Sequence, residues 1–251
     1  MLAAAISSSA AAQELPKVAV LIDDLGYRWT EGVRAARLPG WVAVAILPHT
    51  TYSVALAREA QHRGKEIVLH IPMQAVEEGS KPGPGALELD QTRAEFAATF
   101  AADLAAVPFA RGVNNHMGSL LTRHPGHMRW LMEELRARGP LFFIDSYTTH
   151  LSVGLQLARE HDVPALKRDV FLDSEQDAES IERQWERLLA LARARGFALG
   201  IGHPRGTTLD VLERVLPQLQ ARGLQLVTLA SLLDGYDGQN AESGETSRNE
   251  P

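Results

Sequence analysis

Short apolar runs alternate along the chain with longer segments whose apolar positions recur at helical spacing. The runs are Val18 to Ile22, Val42 to Leu47, Ile67 to Ile71, Leu141 to Ile144, Phe197 to Ile201 and Leu224 to Leu229. Val113 and the stretch Val170 to Leu172 mark two more. Runs of this length fit buried strands. The helical patterns cover Tyr52 to Arg63, Thr92 to Ala106, Gly126 to Arg138, Ala178 to Arg195 and Leu209 to Ala221. Four stop phrases punctuate them: Gln61-His62-Arg63-Gly64, Arg136-Ala137-Arg138-Gly139, Arg193-Ala194-Arg195-Gly196 and Gln220-Ala221-Arg222-Gly223. Arginine suits the negative end of the helix dipole, and glycine takes the left-handed conformation that ends a helix. An apolar run follows each phrase. Helix, glycine, strand in repetition predicts parallel βαβ units and an α/β fold, and seven or eight such units can close into a barrel.

One segment breaks the rhythm. Glu77 to Leu89 holds Gly79, Pro82, Gly83, Pro84 and Gly85, which predicts a long loop beside the strand that ends near His70. No linker divides the middle, so residues 17–235 are expected to form one domain. Met1 to Gln13 is small and weakly apolar, and Ala10-Ala11-Ala12 resembles a signal-peptide cleavage pattern. Residues 1–16 are therefore read as a leader or signal-peptide remnant, with a periplasmic or secreted location expected. Residues 236–251 are Gly, Asn, Ser, Glu and Thr with little to bury, and are expected to be a disordered tail.

Composition removes several chemistries. The net charge is −6 and no basic block appears, so nucleic acid is not an expected partner. No apolar stretch is long enough to span a bilayer. Cysteine is absent, which excludes thiolate ligands, disulfides and a cysteine nucleophile. There is no G-x-S-x-G elbow around Ser119 or Ser146, no H-E-x-x-H, and no glycine-rich phosphate loop.

What the pattern does supply is a row of polar residues at strand exits. Asp23 and Asp24 end the first run, His49 the second, His70 the third. Asn114, Asn115 and His116 follow Val113, Asp145 follows Leu141 to Ile144, and His203 follows Phe197 to Ile201. Each has a structural reading when taken singly: a helix cap, a core histidine, a turn. Their joint placement at the carboxyl ends of parallel strands, where such folds bind ligands, favours a shared site. Adjacent aspartates repel unless a cation or a shared proton compensates. Three Asp/His ligands around a divalent metal, with a further carboxylate to take a proton from water, are the parts of a hydrolytic centre.

In order along the chain stand Leu-Ile-Asp23-Asp24-Leu-Gly26, His70-Ile-Pro-Met-Gln74, Gly-Val-Asn114-Asn115-His116-Met-Gly118-Ser119, Phe-Phe-Ile-Asp145-Ser146 and Gly-Ile-Gly-His203-Pro204. This set resembles the divergent polysaccharide deacetylase family, a distant branch of the NodB-like carbohydrate esterases, over about Lys17 to Leu233. The resemblance implies a deformed (β/α)7 barrel and an exported bacterial protein. It implies Asp23 as general base, Asp24 and His70 as metal ligands, and His203 as the group that assists departure of the leaving amine. The family's usual second histidine is replaced by Gln74, and its arginine-proline motif by Asn-Asn-His-Met-Gly. His116 is inferred as the third ligand, of zinc or a similar divalent ion. Asn114 and Asn115 are expected to hold substrate, and Asp145 to orient His203 or contact sugar hydroxyls. The expected activity is removal of N-acetyl groups from a cell-envelope glycan. The alternatives are a non-catalytic glycan- or protein-binding member of the same fold, and hydrolysis of another amide.

Overall fold

The structure is a computed structural model and describes residues 14–77 and 79–234. The leader before residue 14 and the expected tail lie outside the described residues. Five strand–helix units come first: β1 (Lys17–Leu25) and α1 (Trp29–Ala36), β2 (Ala43–Ile46) and α2 (Ser53–His62), β3 (Ile67–Met73) and α3 (Arg93–Ala106), β4 (Gly112–Met117) and α4 (Pro125–Ala137), β5 (Phe142–Asp145) and α5 (Gly154–Glu160). Then follow β6 (Ala165–Lys167), β7 (Val170–Phe171), α6 (Ala178–Arg195), β8 (Phe197–Gly202), α7 (Gly206–Val215) and β9 (Gln225–Leu226).

All pairings between these strands are parallel, in the order β6-β5-β4-β3-β2-β1-β8-β7, with β9 added beside the start of β1. The two edges of this curled sheet, β6 and β7, are consecutive in the chain. Only Arg168 and Asp169 separate them. The Arg168 amide donates to the Asp145 carbonyl (2.9 Å), and the Asp169 amide donates to the Leu199 carbonyl (3.0 Å). One extended segment thus begins on β5 and finishes on β8, carrying the chain across the seam. Counted as a single strand position beside β1 to β5 and β8, it makes the seven of the expected deformed (β/α)7 barrel.

Two cores explain why the strands read as unbroken apolar runs. On the outer face Val18, Val20 and Ile22 pack under the helices with Phe96, Phe100 and Trp185. On the inner face Ala19, Leu21, Ala43, Ala45 and Val68 fill a narrow lumen. Val227, Leu229, Leu232 and Leu233 join this inner cluster near the start of β1. Glu66 fixes that plug by accepting the amides of Leu229 (2.6 Å) and Ala230 (3.1 Å). Burial on both faces is the expected state of parallel strands. The glycines of the four stop phrases all adopt positive φ, from 67° at Gly64 to 111° at Gly139.

The differences from the sequence reading are local. The run Leu224 to Leu229 is a strand only at β9: the Val227 amide still donates to the Val18 carbonyl, and the chain then enters a helical turn at Leu229 that Thr228 caps. The helix expected over Leu209 to Ala221 ends at Val215 and continues as two 3-10 turns around Pro217, which lacks the amide a helix needs. Helices α1 and α5 and strand β6, of eight, seven and three residues, are too short to give a periodic signal. The Glu77–Leu89 loop docks beside β3 through Leu87, whose carbonyl accepts the Gln74 amide and whose amide donates to the Pro72 carbonyl, both at 2.9 Å. No helix of the described residues is long and apolar enough to cross a membrane.

Candidate metal centre

Strand side chains alternate between faces. Ala19 and Leu21 face the lumen, so Asp23 does as well. By the same parity Val68 leads to His70, Ile144 to Ser146, Leu166 to Arg168, and Leu199 and Ile201 to His203. Val113 faces the helices, which turns Asn114 and His116 inward. These residues lie at the carboxyl ends of their strands, at one mouth of the barrel.

Asp24 has the wrong parity and reaches the mouth by a bulge. Between Ile22 and Leu25, three steps along β1 match two steps along β2, from Val44 to Ile46. Asp24 takes φ +60° at that point. A bulge re-aims a side chain, and aspartate is among the non-glycine residues that tolerate the left-handed region. Two adjacent carboxylates therefore serve one site.

Three donor atoms converge there. Asp24 Oδ1 lies 3.0 Å from His70 Nε2 and 2.9 Å from His116 Nδ1, and the two nitrogens are 3.1 Å apart. Tetrahedral ligands about 2.0–2.1 Å from an ion lie roughly 3.3 Å from one another, so these atoms stand close to ligand spacing. Asn114 sets the tautomer. Its Nδ2 donates to Asp23 Oδ1 (2.8 Å) and Ser146 Oγ (3.1 Å), which turns its carbonyl to accept from His70 Nδ1 (2.9 Å). When His70 is neutral, its lone pair lies on Nε2 and aims at the Asp24 oxygen. Donor atoms this close are held together by a proton on a ring nitrogen or by a cation among them, and with His70 neutral the set fits a divalent ion.

The charges respond to the same crowding. Burial opposes a charge on His70, but the Asp23 and Asp24 carboxylates overcome it and raise its pKa to about 9. Burial would also raise Asp24, yet the bonds from His116 and His70 hold it well below the usual carboxylate range. For Asp23 burial prevails over the attraction of His70 and His203, and its pKa is raised.

His203 approaches from the opposite wall. Its Nε2 is 3.7 Å from Asp24 Oδ2, and its Nδ1 donates to Asp173 Oδ1 at 2.9 Å. Asp173 is fully buried, and its Oδ2 accepts from the His203 amide and from Thr208 Oγ1, both at 2.8 Å. Burial opposes the protonated imidazole, and the bond to Asp173 outweighs it, raising the His203 pKa. Sequence reasoning missed Asp173. The only signal was its place directly after the run Val170 to Leu172.

Two expectations are corrected. Asp145 neither orients His203 nor enters the mouth. It falls on the helix side of β5, where it accepts from Ser152 Oγ (2.7 Å) and the Tyr147 amide (2.8 Å). Asn114 is wholly buried and its amide is spent on His70, Asp23 and Ser146, so it supports the site rather than touching a ligand. Asn115 does line the mouth, with its side-chain amide donating to the Met117 carbonyl (2.7 Å) and its carbonyl accepting the Ser146 amide (2.9 Å). Gln74 turns away and accepts the Leu89 amide (2.8 Å), so His116 stands alone as the second histidine of the cluster. His49 meets buried Asp103 at 2.8 Å, outside the lining of the mouth.

The mouth is a cavity of about 210 Å³ lined by Asp23, Asp24, His70, His116, Arg168 and His203, with Met117, Phe171 and others between them. Pockets that engulf a whole small molecule run to about 300–1,000 Å³. This one is too small for a whole sugar and suits substituents of a larger ligand.

The profile of divergent polysaccharide deacetylases matches residues 20–233, which spans the barrel and every residue of the cluster. The chain belongs to that family. Relatives of this chain include an uncharacterized protein of Haemophilus influenzae, 37% identical over 216 residues (86% of this chain and 76% of that one). YibQ of Escherichia coli, also uncharacterized, is 33% identical over 218 residues (87% and 67%). The fold of the chain is that of the uncharacterized protein ATU2773 of Agrobacterium tumefaciens, with TM-score 0.84, 24% identity and coverage of 88% and 91%. It is shared more loosely with a deacetylase, T48, solved with substrate (0.53, 15% identity, 88% and 92%). BA3943 of Bacillus anthracis, a CE4 family pseudoenzyme, has it too (0.52, 12% identity, 87% and 66%).

Proposed function

We propose that this protein is a metal-dependent hydrolase that removes N-acetyl groups from a polysaccharide of the cell envelope. The observation that carries the reading is the convergence of Asp24, His70 and His116 within 3.1 Å beside a second, buried carboxylate. Those three would hold a divalent ion, zinc in the first instance, which would supply Lewis acidity to the acetamide carbonyl and to water. Asp23, whose pKa burial raises, takes a proton from the attacking water. His203, held through Nδ1 by Asp173, presents Nε2–H to the departing nitrogen and protonates it. The water oxygen adds to the carbonyl carbon, the C–N bond breaks, and acetate and a free amine leave. The small mouth supports an acetamido group as the part admitted. The small, weakly apolar composition of Met1 to Gln13 supports action outside the cytoplasm.

Acetate release from an N-acetylglucosamine oligomer, with zinc supplied, tests this. Asp23→Asn is expected to keep its metal and lose turnover by orders of magnitude. Equal turnover in that variant removes Asp23 as the base. A second reading, a glycan-binding protein without catalysis, draws on Gln74 at the usual second-histidine position and on a pseudoenzyme with a related fold. It predicts no acetate release with zinc, manganese or cobalt in excess.

A further inference from the structure

Arg168 sits in the seam of the barrel, on the lumen side, and lines the same mouth as the metal cluster. Its guanidinium is fixed. Nε–H donates to the Ser146 carbonyl (2.7 Å), Nη2–H donates to the Tyr147 carbonyl (3.1 Å), and the group lies 4.7 Å from the centre of the Phe171 ring. Both carbonyls are neutral. Among the described residues no carboxylate comes within 4.0 Å of it, although Asp23 and Asp145 act on it from further away. An arginine offers five N–H groups, and two are used here. The rest are held by a side chain already ordered, so an anion meeting them gains without immobilising a flexible arm.

The charge balance points the same way. A divalent ion would offset the two carboxylates Asp23 and Asp24. Arg168 then keeps its positive charge in the wall of the mouth, with Asp145 acting on it only from beyond 4.0 Å. A fixed, partly buried guanidinium with no acid of its own is built for a planar anion.

We infer that Arg168 binds a carboxylate on the saccharide substrate, so that this mouth selects acidic glycans over neutral ones. The inference rests on the deacetylase reading and names the substrate class. The carboxylate has two common sources in amino-sugar glycans, an ether-linked lactyl group and a neighbouring uronate, and both present the same planar anion. An alternative role as a donor to the oxyanion of the reaction is less well served. The metal ligands come from β1, β3 and β4, whereas Arg168 is tied to the exit of β5 and to β7.

Calorimetric titration of the zinc-loaded protein with N-acetylmuramic acid, its methyl ester, N-acetylglucosamine and a hyaluronan tetrasaccharide tests the inference. The acid is expected to bind at least tenfold more tightly than its ester. Arg168→Gln is expected to bring that ratio to within twofold of one, and Arg168→Lys, which keeps charge without the fork, to leave it between. Preference for N-acetylmuramic acid assigns the lactyl source, and preference for the tetrasaccharide the uronate source. Equal binding of acid and ester by the unaltered protein overturns the inference without any variant having to fold. So does an Arg168→Gln protein whose ratio is unchanged, or one that weakens acid and neutral ligands alike, which marks a purely structural or oxyanion role. Binding needs no turnover. Selectivity without acetate release sinks the hydrolase reading alone, and acetate release without selectivity sinks this inference alone.

Discussion

Replacing Asn114 by alanine separates support of the metal site from support of the fold. The side chain is fully buried and makes three hydrogen bonds, to Asp23 (2.8 Å), His70 (2.9 Å) and Ser146 (3.1 Å). Bonds to charged groups contribute about 1.5–3 kcal/mol and neutral ones about 1 kcal/mol, so the variant loses roughly 3–5 kcal/mol of stability. Its second effect is on His70. Without the Asn114 carbonyl the ring proton is no longer held on Nδ1, and Nε2 is no longer reserved for a ligand. Loss of such outer support weakens metal binding by about 10–100-fold, or about 1.4–2.8 kcal/mol. Urea unfolding of ion-free protein measures the first effect, and zinc competition against a chromophoric chelator the second. Ser146→Ala is the control: it removes only the 3.1 Å bond, and its zinc affinity should stay within about threefold of the unaltered protein. The reasoning fails if Asn114→Ala loses stability yet binds zinc as tightly as the parent, because Asn114 would then not set the tautomer of His70.

Other consequences can be checked separately. His116→Ala should lower zinc affinity more than about a hundredfold, whereas Gln74→Ala, which frees only the Leu89 amide, should leave it nearly unchanged; a reversed order, read by elemental analysis after dialysis, would restore Gln74 to the site. Asp173→Asn leaves His203 without the carboxylate that favours its protonated form, and turnover should drop about 10²–10⁴-fold with zinc content intact; equal kcat would remove His203 as the acid. Burial pushes Asp103 up to about 8, and its Oδ2 has no partner beyond the His49 contact at Oδ1. A carboxyl raised in the fold gives stability that is full below its unfolded pKa and lost as pH rises through the folded value. The melting advantage of Asp103→Asn over the parent should therefore widen from pH 5 to pH 8.5, and parallel melting curves would contradict it.

Much of the barrel was legible because each strand is buried on both faces, which leaves runs such as Val18 to Ile22 without a polar interruption until the mouth. The glycine stops were legible because their chemistry is local. Asp23, His70, His116 and His203 could be named for the same reason: a polar residue ending a doubly buried strand has one rim to reach. That double burial also erased the parity. With Phe142, Phe143 and Ile144 all apolar, nothing in the order of residues told whether Asp145 or Ser146 would face the lumen. Its position at a strand exit marks Asp145 as a site residue, yet it lies on the helix side.

What stayed hidden depends on pairing across long stretches of chain. Asp173 follows a two-residue strand whose register is set by β8, some thirty residues later, and no local pattern announces that it will meet His203. Arg168 belongs to the seam, where one segment changes partner from β5 to β8, and that handover exists only once the sheet has curled. Asp24 is the instructive middle case. Two adjacent strand residues cannot face the same way, so Asp23-Asp24 as a joint site required a bulge between them. The shift between Ile22 and Leu25 is that bulge. A pair of like charges at a strand exit therefore carries geometric information as well as chemical: either one of them points away from the mouth, or the backbone has bent to bring both in.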